Sequence, residues 1–137
     1  MNPTFAPTEN RRWMLVDDNA EILLLLSAAI EMMAGAETEC FNSPRSALAA
    51  FASAPEKYEL VITDFEMPGM DGVELCRRML ALLPALKIFL ATGNGFFTET
   101  MATSAGFLGL LYKPFQLEKL RAMLAAAEIQ IHEPIAA

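Results

Sequence analysis

Histidine occurs once in this chain, at His132 in the polar C-terminal stretch, so neither a phosphohistidine nor a serine–histidine site is expected. Cysteine occurs twice, at Cys40 and Cys76, in a predicted strand and a predicted helix; the pair reads as two buried free thiols in a reducing compartment. Cations are scarce: 10 Lys and Arg stand against 17 Asp and Glu, a net charge of −7. That balance excludes the basic face of a direct nucleic-acid binder, and Arg11-Arg12 and Arg77-Arg78 are too small to restore one. No apolar stretch reaches the roughly 18 residues of a membrane span. Residues 1–10 are polar and contain proline, without the apolar centre of a secretion signal, so a flexible N-terminus of a cytoplasmic protein is expected there. There is no internal repeat and no low-complexity linker.

What is present is a core. Hydrophobic residues make up 54% of 137 positions, enough for one ordinary domain. Apolar runs alternate with helical patterns throughout. Strands are expected at about Trp13–Asp17, Glu37–Phe41, Glu59–Thr63, Leu86–Ala91 and Phe107–Tyr112. Helices are expected at about Ala20–Ala34, Ser43–Ala54, Val73–Leu83, Thr98–Ala105 and Leu117–Glu128. Their punctuation is chemical: Gly35 and Gly106 close helices, Ser43-Pro44 opens one, and Pro55 and Pro84 stop two. Five strands alternating with five helices specify an α/β fold, a doubly wound parallel sheet covered on both faces. The domain is expected over residues 11–128, with 129–137 a C-terminal tail.

Four of the strands end on residues suited to phosphate and magnesium. They are Asp17-Asp18, Asp64, Thr92 and Lys113-Pro114, and in parallel strands they line the sheet edge where open α/β folds bind ligands. A carboxylate at Asp64, in the middle of such a sheet, can attack phosphorus and become an aspartyl phosphate. Asp17 and Asp18 can supply further oxygen ligands for Mg²⁺, with Asp64 in the same set. Thr92 can donate a hydrogen bond to a phosphoryl oxygen, and Lys113 can pair with another. A cis Lys113-Pro114 bond would aim the lysine inward. Taken singly, each has a structural alternative: Asp17-Asp18 as a helix cap, Asp64 as a turn residue, Thr92 as a loop hydroxyl, Lys113 as a solvated charge.

These segments carry a family resemblance. Leu15-Val16-Asp17-Asp18-Asn19, the run from Val61 to Gly72 (VITDFEMPGMDG), Ala91-Thr92-Gly93 and Lys113-Pro114-Phe115 resemble the receiver domain of two-component response regulators, across about Arg12 to Glu128. The resemblance implies a flavodoxin-like five-stranded sheet in the order 2-1-3-4-5 with five helices. It implies that Asp64 is the phosphoacceptor for a histidine kinase or histidine phosphotransferase, and that the protein catalyses only its own phosphorylation and dephosphorylation. It implies that Asp18, Asp64 and the backbone carbonyl of Glu66 ligate Mg²⁺, with Asp17 assisting through water, and that Thr92 and Lys113 contact the phosphoryl group. A downstream protein target is implied without being identified.

Two positions depart from the family pattern. The switch aromatic expected three residues before the lysine is Leu110, and Tyr112 lies one pleat further on the same side. The residue two after the phosphoacceptor, Glu66, adds negative charge beside the phosphoryl position. Two other readings follow. One is a receiver-fold scaffold that acts without phosphorylation. The other is a haloacid-dehalogenase-type phosphatase, for which Glu66 stands where a general acid is needed and Asp17-Asp18 have no role. Gly93-Asn94-Gly95 lacks the Gly-Lys-Ser/Thr of a P-loop. Phe96-Phe97 are expected to pack over the fourth helix. In the first helix the core stripe is expected at Ile22, Leu25, Leu26, Ala29, Ile30 and Met33. The unbroken run from Ile22 to Leu26 exceeds one stripe, so Ile22, Leu23 and Leu24 are expected to dock the phosphodonor.

Overall fold

The computed structural model describes residues 11–131. The expectations for the N-terminal ten residues, for His132 and for the rest of the tail therefore lie outside the described residues. Five strands form one parallel sheet in the order β2-β1-β3-β4-β5. They are β1 (Arg12–Val16), β2 (Glu37–Phe41), β3 (Leu60–Asp64), β4 (Ile88–Thr92) and β5 (Gly109–Tyr112). The helices are α1 (Ala20–Ala34), α2 (Pro44–Ser53), α3 (Gly72–Leu82), α4 (Glu99–Ala105) and α5 (Leu117–Ala126), with a short 3₁₀ turn at Pro55–Lys57. This is the doubly wound order expected from the sequence.

Caps explain why α2, α3 and α4 begin where they do. Ser43, Asp71 and Thr98 each accept a backbone N–H of the first turn, and Pro44 occupies the first position of α2. Gly35 and Gly106 end α1 and α4 in the left-handed conformation, at φ 67° and 106°. Alternation then splits the strand side chains between two cores. Met14, Val16, Val61, Ile88, Leu90 and Leu110 face α2, α3 and α4, while Trp13, Leu15, Ile62, Phe89, Ala91 and Leu111 face α1 and α5. All five residues of β3 and all five of β4 are buried, as central strands covered on both faces must be.

Four expectations change. In α1, Leu23 is buried, while Leu25 is 72% exposed alongside Leu24. An unbroken apolar run carries no rotational phase, and the helix seats Leu23 and Ala34 against the sheet together with the expected Ile30 and Met33. The reading of Leu23 as surplus surface is corrected accordingly. Cys76 is buried, but Cys40 is exposed, because β2 is an edge strand that α1 covers only partly. Phe97 packs in the core, whereas Phe96 is 90% exposed. Ile129 is buried and its N–H bonds the Leu124 carbonyl, so the packed body continues beyond α5.

Candidate functional site

Parallel pairing brings the strand ends together. Val16 of β1 lies beside Thr63 of β3, Asp64 beside Ala91 of β4, and Thr92 beside Tyr112 of β5. Asp17 and Lys113 are the first residues beyond β1 and β5, held by the bonds Asp17 N–H to Phe41 O (3.1 Å) and Lys113 N–H to Thr92 O (2.8 Å). One carboxylate oxygen each from Asp17, Asp18 and Asp64 lies within 4.8 Å of the others. The Lys113 ammonium reaches Asp17 at 2.8 Å and Asp64 at 3.3 Å, and the Lys113-Pro114 peptide bond is cis.

The local chain is arranged to leave these groups available. The N-cap of α1 is Asn19, whose side chain accepts from the Glu21 and Ile22 N–H groups. Asp17 and Asp18 are therefore not the cap, and the cap alternative raised by their position is set aside. The Asn19 N–H in turn fixes Asp17 at 2.9 Å. On the other side, Gly72 opens α3 directly against the end of β3. Its N–H bonds the Phe65 carbonyl at 2.8 Å, and a Cβ there would stand 2.2 Å from the Asp64 carbonyl oxygen. Only glycine permits that approach. Sequence reasoning placed Gly72 in a loop and missed this positioning role, because the close contact is tertiary.

Asp17 and Asp64 are buried, Asp18 and Glu66 are exposed, and Thr92 is buried at the strand end. Burial pushes the Asp64 carboxyl above its ordinary value. The Lys113 charge pulls it back, the Asp17 charge pushes it further, and burial prevails. Burial opposes the Lys113 ammonium too, but its ion pairs with Asp17 and Asp64 outweigh that and hold its pKa above the ordinary lysine value. Asp17 and Asp64 thus share one ammonium, with the Asp18 carboxyl clustered beside them. A set of hard oxygen donors short of positive charge fits a divalent cation such as Mg²⁺. The Thr92 hydroxyl oxygen accepts the Asn94 N–H at 3.0 Å, and its own proton is free to be donated towards Asp64.

The two remaining sets of expected residues divide. Leu110 is buried in the α3–α4 core and offers no polar group. Of the docking residues, Leu24 is exposed, Ile22 is half-buried and Leu23 is core. An apolar groove does lie beside Lys113, between Ile22, Leu25 and Ala29 of α1 and Phe115 and Leu117 ahead of and within α5. Sequence reasoning also missed two contacts. The Phe65 and Phe97 rings meet with centroids 4.9 Å apart, and the Tyr112 hydroxyl donates to the Phe97 carbonyl. Neither is periodic or local, so no sequence signal marked them.

Comparison with known proteins agrees with this geometry. The family model for the response regulator receiver domain matches residues 14–125. The response regulator receiver protein CpdR of Brucella abortus is 36% identical over 111 residues, covering 80% of this chain and 90% of that protein. The C4-dicarboxylate transport transcriptional regulatory protein DctD of Rhizobium meliloti is 35% identical over 107 residues, 77% of this chain. The chain spans 23% of DctD and 55% of the regulator TctD of Salmonella typhimurium, so it matches only part of such relatives. Among solved structures, response regulator protein TrrA from Thermotoga maritima, in complex with Mg(2+)-BeF, superposes with a TM-score of 0.75 at 28% identity, covering 85% of this chain and 97% of that one.

Proposed function

Because the chain belongs to the response regulator receiver family, we propose that it is the phosphoacceptor of a two-component phosphorelay, taking a phosphoryl group from a phosphohistidine onto Asp64 and thereby switching the binding of a protein target. The observation that carries this reading is the clustering of Asp17, Asp18 and Asp64 at the sheet edge, with Lys113 paired to Asp17 and Asp64.

Asp17, Asp18 and Asp64, with the backbone carbonyl of Glu66, would hold Mg²⁺, which when bound supplies charge neutralisation to the phosphoryl oxygens. The chain's own residues account for the rest. An Asp64 carboxylate oxygen forms the new bond to phosphorus as the phosphorus–nitrogen bond to the donor histidine breaks, the electron pair leaving with the imidazole. Lys113 pairs with one phosphoryl oxygen and Thr92 donates its hydroxyl proton to another. The ammonium already lies against Asp64, so little reorganisation is needed. The exposed Glu66 carboxylate adds negative charge at the mouth of the site. The histidine donor docks on the groove beside Lys113, with Ile22 and Leu25, rather than Leu23 and Leu24, as its apolar edge.

Acetyl phosphate with Mg²⁺ should add one phosphoryl group by intact-mass spectrometry, lost in Asp64→Ala and on chelation of the metal. Undiminished labelling of Asp64→Ala would refute the assignment. Leu25→Glu should slow transfer from a phosphohistidine protein while sparing acetyl phosphate; equal slowing of both would remove the docking surface from the account. The phosphatase reading predicts sustained turnover of p-nitrophenyl phosphate instead. A scaffold reading gains support from Leu110 and predicts target binding indifferent to phosphorylation.

A further inference from the structure

We infer that Tyr112, one residue before the lysine, reads the state of Asp64 in this chain through the loop between β4 and α4, and that Leu110 is a passive core residue. The inference rests on the phosphoacceptor reading and concerns how the signal leaves the site.

The loop from Gly93 to Phe97 is tied at both ends by hydroxyl groups. At its start the Thr92 hydroxyl oxygen holds the Asn94 N–H at 3.0 Å. Within it, Asn94 folds the chain back, its side-chain oxygen accepting the Phe96 N–H at 2.9 Å and its carbonyl the Phe97 N–H at 3.1 Å. At its end the Tyr112 hydroxyl donates to the Phe97 carbonyl. Tyr112 is also the register partner of Thr92, so the two tethers spring from adjacent strand ends. Phe97 is buried and packs with its ring tilted against Phe65, the residue that follows Asp64 and gives it a backbone hydrogen bond. Thr98, next in sequence, is the N-cap of α4.

A phosphoryl group on Asp64 draws the Thr92 hydroxyl towards it and away from the Asn94 N–H. The turn that Asn94 closes then shifts, and Phe97 moves with it, pressed also by Phe65 beside the modified carboxylate. The Phe97 carbonyl leaves the Tyr112 hydroxyl, and the start of α4 and the end of β5 are rearranged together. Leu110 lies on the same face of β5, but it is 3% exposed in the apolar core and has no polar group, so it has no hydrogen bond to exchange with the loop. Tyr112 is 44% exposed and has room to move.

The test compares wild type, Tyr112→Phe and Leu110→Val by amide chemical shifts, with and without Mg²⁺ and beryllofluoride. Tyr112→Phe keeps the ring and removes only the donor, and Leu110→Val is a small change in the core. In wild type the response should spread from Thr92–Phe97 into α4 and β5. In Tyr112→Phe the response at Thr92 should persist, while the activated-to-inactive ratio read on β5 changes about fivefold, the size of one neutral hydrogen bond. Leu110→Val should stay within about twofold of wild type. An unchanged β5 response in Tyr112→Phe, or its collapse in Leu110→Val, overturns the relay alone. A wild type with no Mg²⁺-dependent response to beryllofluoride overturns the phosphoacceptor reading and the relay with it.

Discussion

The two edges of the sheet treat charge in opposite ways. At the N-terminal edge anions and cations are matched. Arg11 pairs with Glu59 at 2.9 Å, Arg12 with Glu37 and Glu39 at 2.6 and 2.7 Å, and Lys57 with Glu39 at 3.1 Å. Glu59 also receives the Trp13 indole N–H, and Glu39 the Tyr58 hydroxyl. Arg11 further donates to the carbonyls of Ala34, at the end of α1, and Gln130, beyond α5. Lys87 does the same for Ala127. Cations thus satisfy carbonyls that helix ends leave unpaired. At the C-terminal edge three carboxyl groups cluster, and Lys113 pairs with two of them, Asp17 and Asp64. Although the chain as a whole is short of cations, with a net charge of −7, it places them so as to match the anions at one edge and leaves the other under-compensated. The deficit sits where a divalent ion and a transferred group would complete it, which is how binding sites depart from stability-optimised structure.

Removing charge should therefore have opposite signs at the two edges. Arg11→Ala should be the most damaging change, costing about 3 kcal/mol in urea melts, because it leaves the Ala34 carbonyl and the Glu59 carboxylate without a partner they hold in the wild type. A cost near zero would mean that the matched edge is not a structural staple. Asp64→Asn, measured without divalent metal at neutral pH, should instead stabilise by about 1 kcal/mol, because burial already disfavours the carboxylate there. Destabilisation of that size would show that the Lys113–Asp64 pair outweighs burial and that the edge is not under-compensated.

A smaller and pH-dependent effect sharpens the same contrast. Burial raises the Glu39 carboxyl, but the hydrogen bonds from Tyr58, Lys57 and Arg12 outweigh it and hold the net value below the ordinary one. A depressed carboxyl pKa contributes stability that is fully present above the unfolded value and is lost as pH falls through the folded value. Glu39→Gln should thus cost about 1 kcal/mol at pH 7, with the difference from wild type shrinking as the solution is acidified below the ordinary glutamate range. A difference that grows on acidification would reverse the assigned sign.

The contrast between edges also marks what could be read from the sequence. The strand ends carrying Asp17, Asp18, Asp64, Thr92 and Lys113 were legible because parallel pairing needs only strand order to gather them, and alternating runs with Gly, Pro and Ser punctuation supplied that order. Strand and helix limits then fell within about two residues, the uncertainty expected at element ends. The phase of α1 was not legible: Ile22 to Leu26 are all apolar, and only packing against β1 and β3 chose Leu23 over Leu25. Nor were Arg11's carbonyl contacts, the Phe65–Phe97 ring contact, the Tyr112 hydrogen bond or the tight approach of Gly72 to Asp64. Each depends on where elements far apart in sequence come to rest.

The account's central claim is that the charge deficit at the C-terminal edge is a metal and phosphoryl site. It is tested most directly by thermal melts of wild type and Asp18→Ala with and without Mg²⁺. Asp18 is exposed and is not the cap of α1, so its loss should leave the fold intact. At about ten times the dissociation constant, Mg²⁺ should stabilise the wild type by about 1.4 kcal/mol, a rise of a few degrees. Most of that rise should vanish in Asp18→Ala. An equal rise in both proteins would place the ion elsewhere and contradict the account.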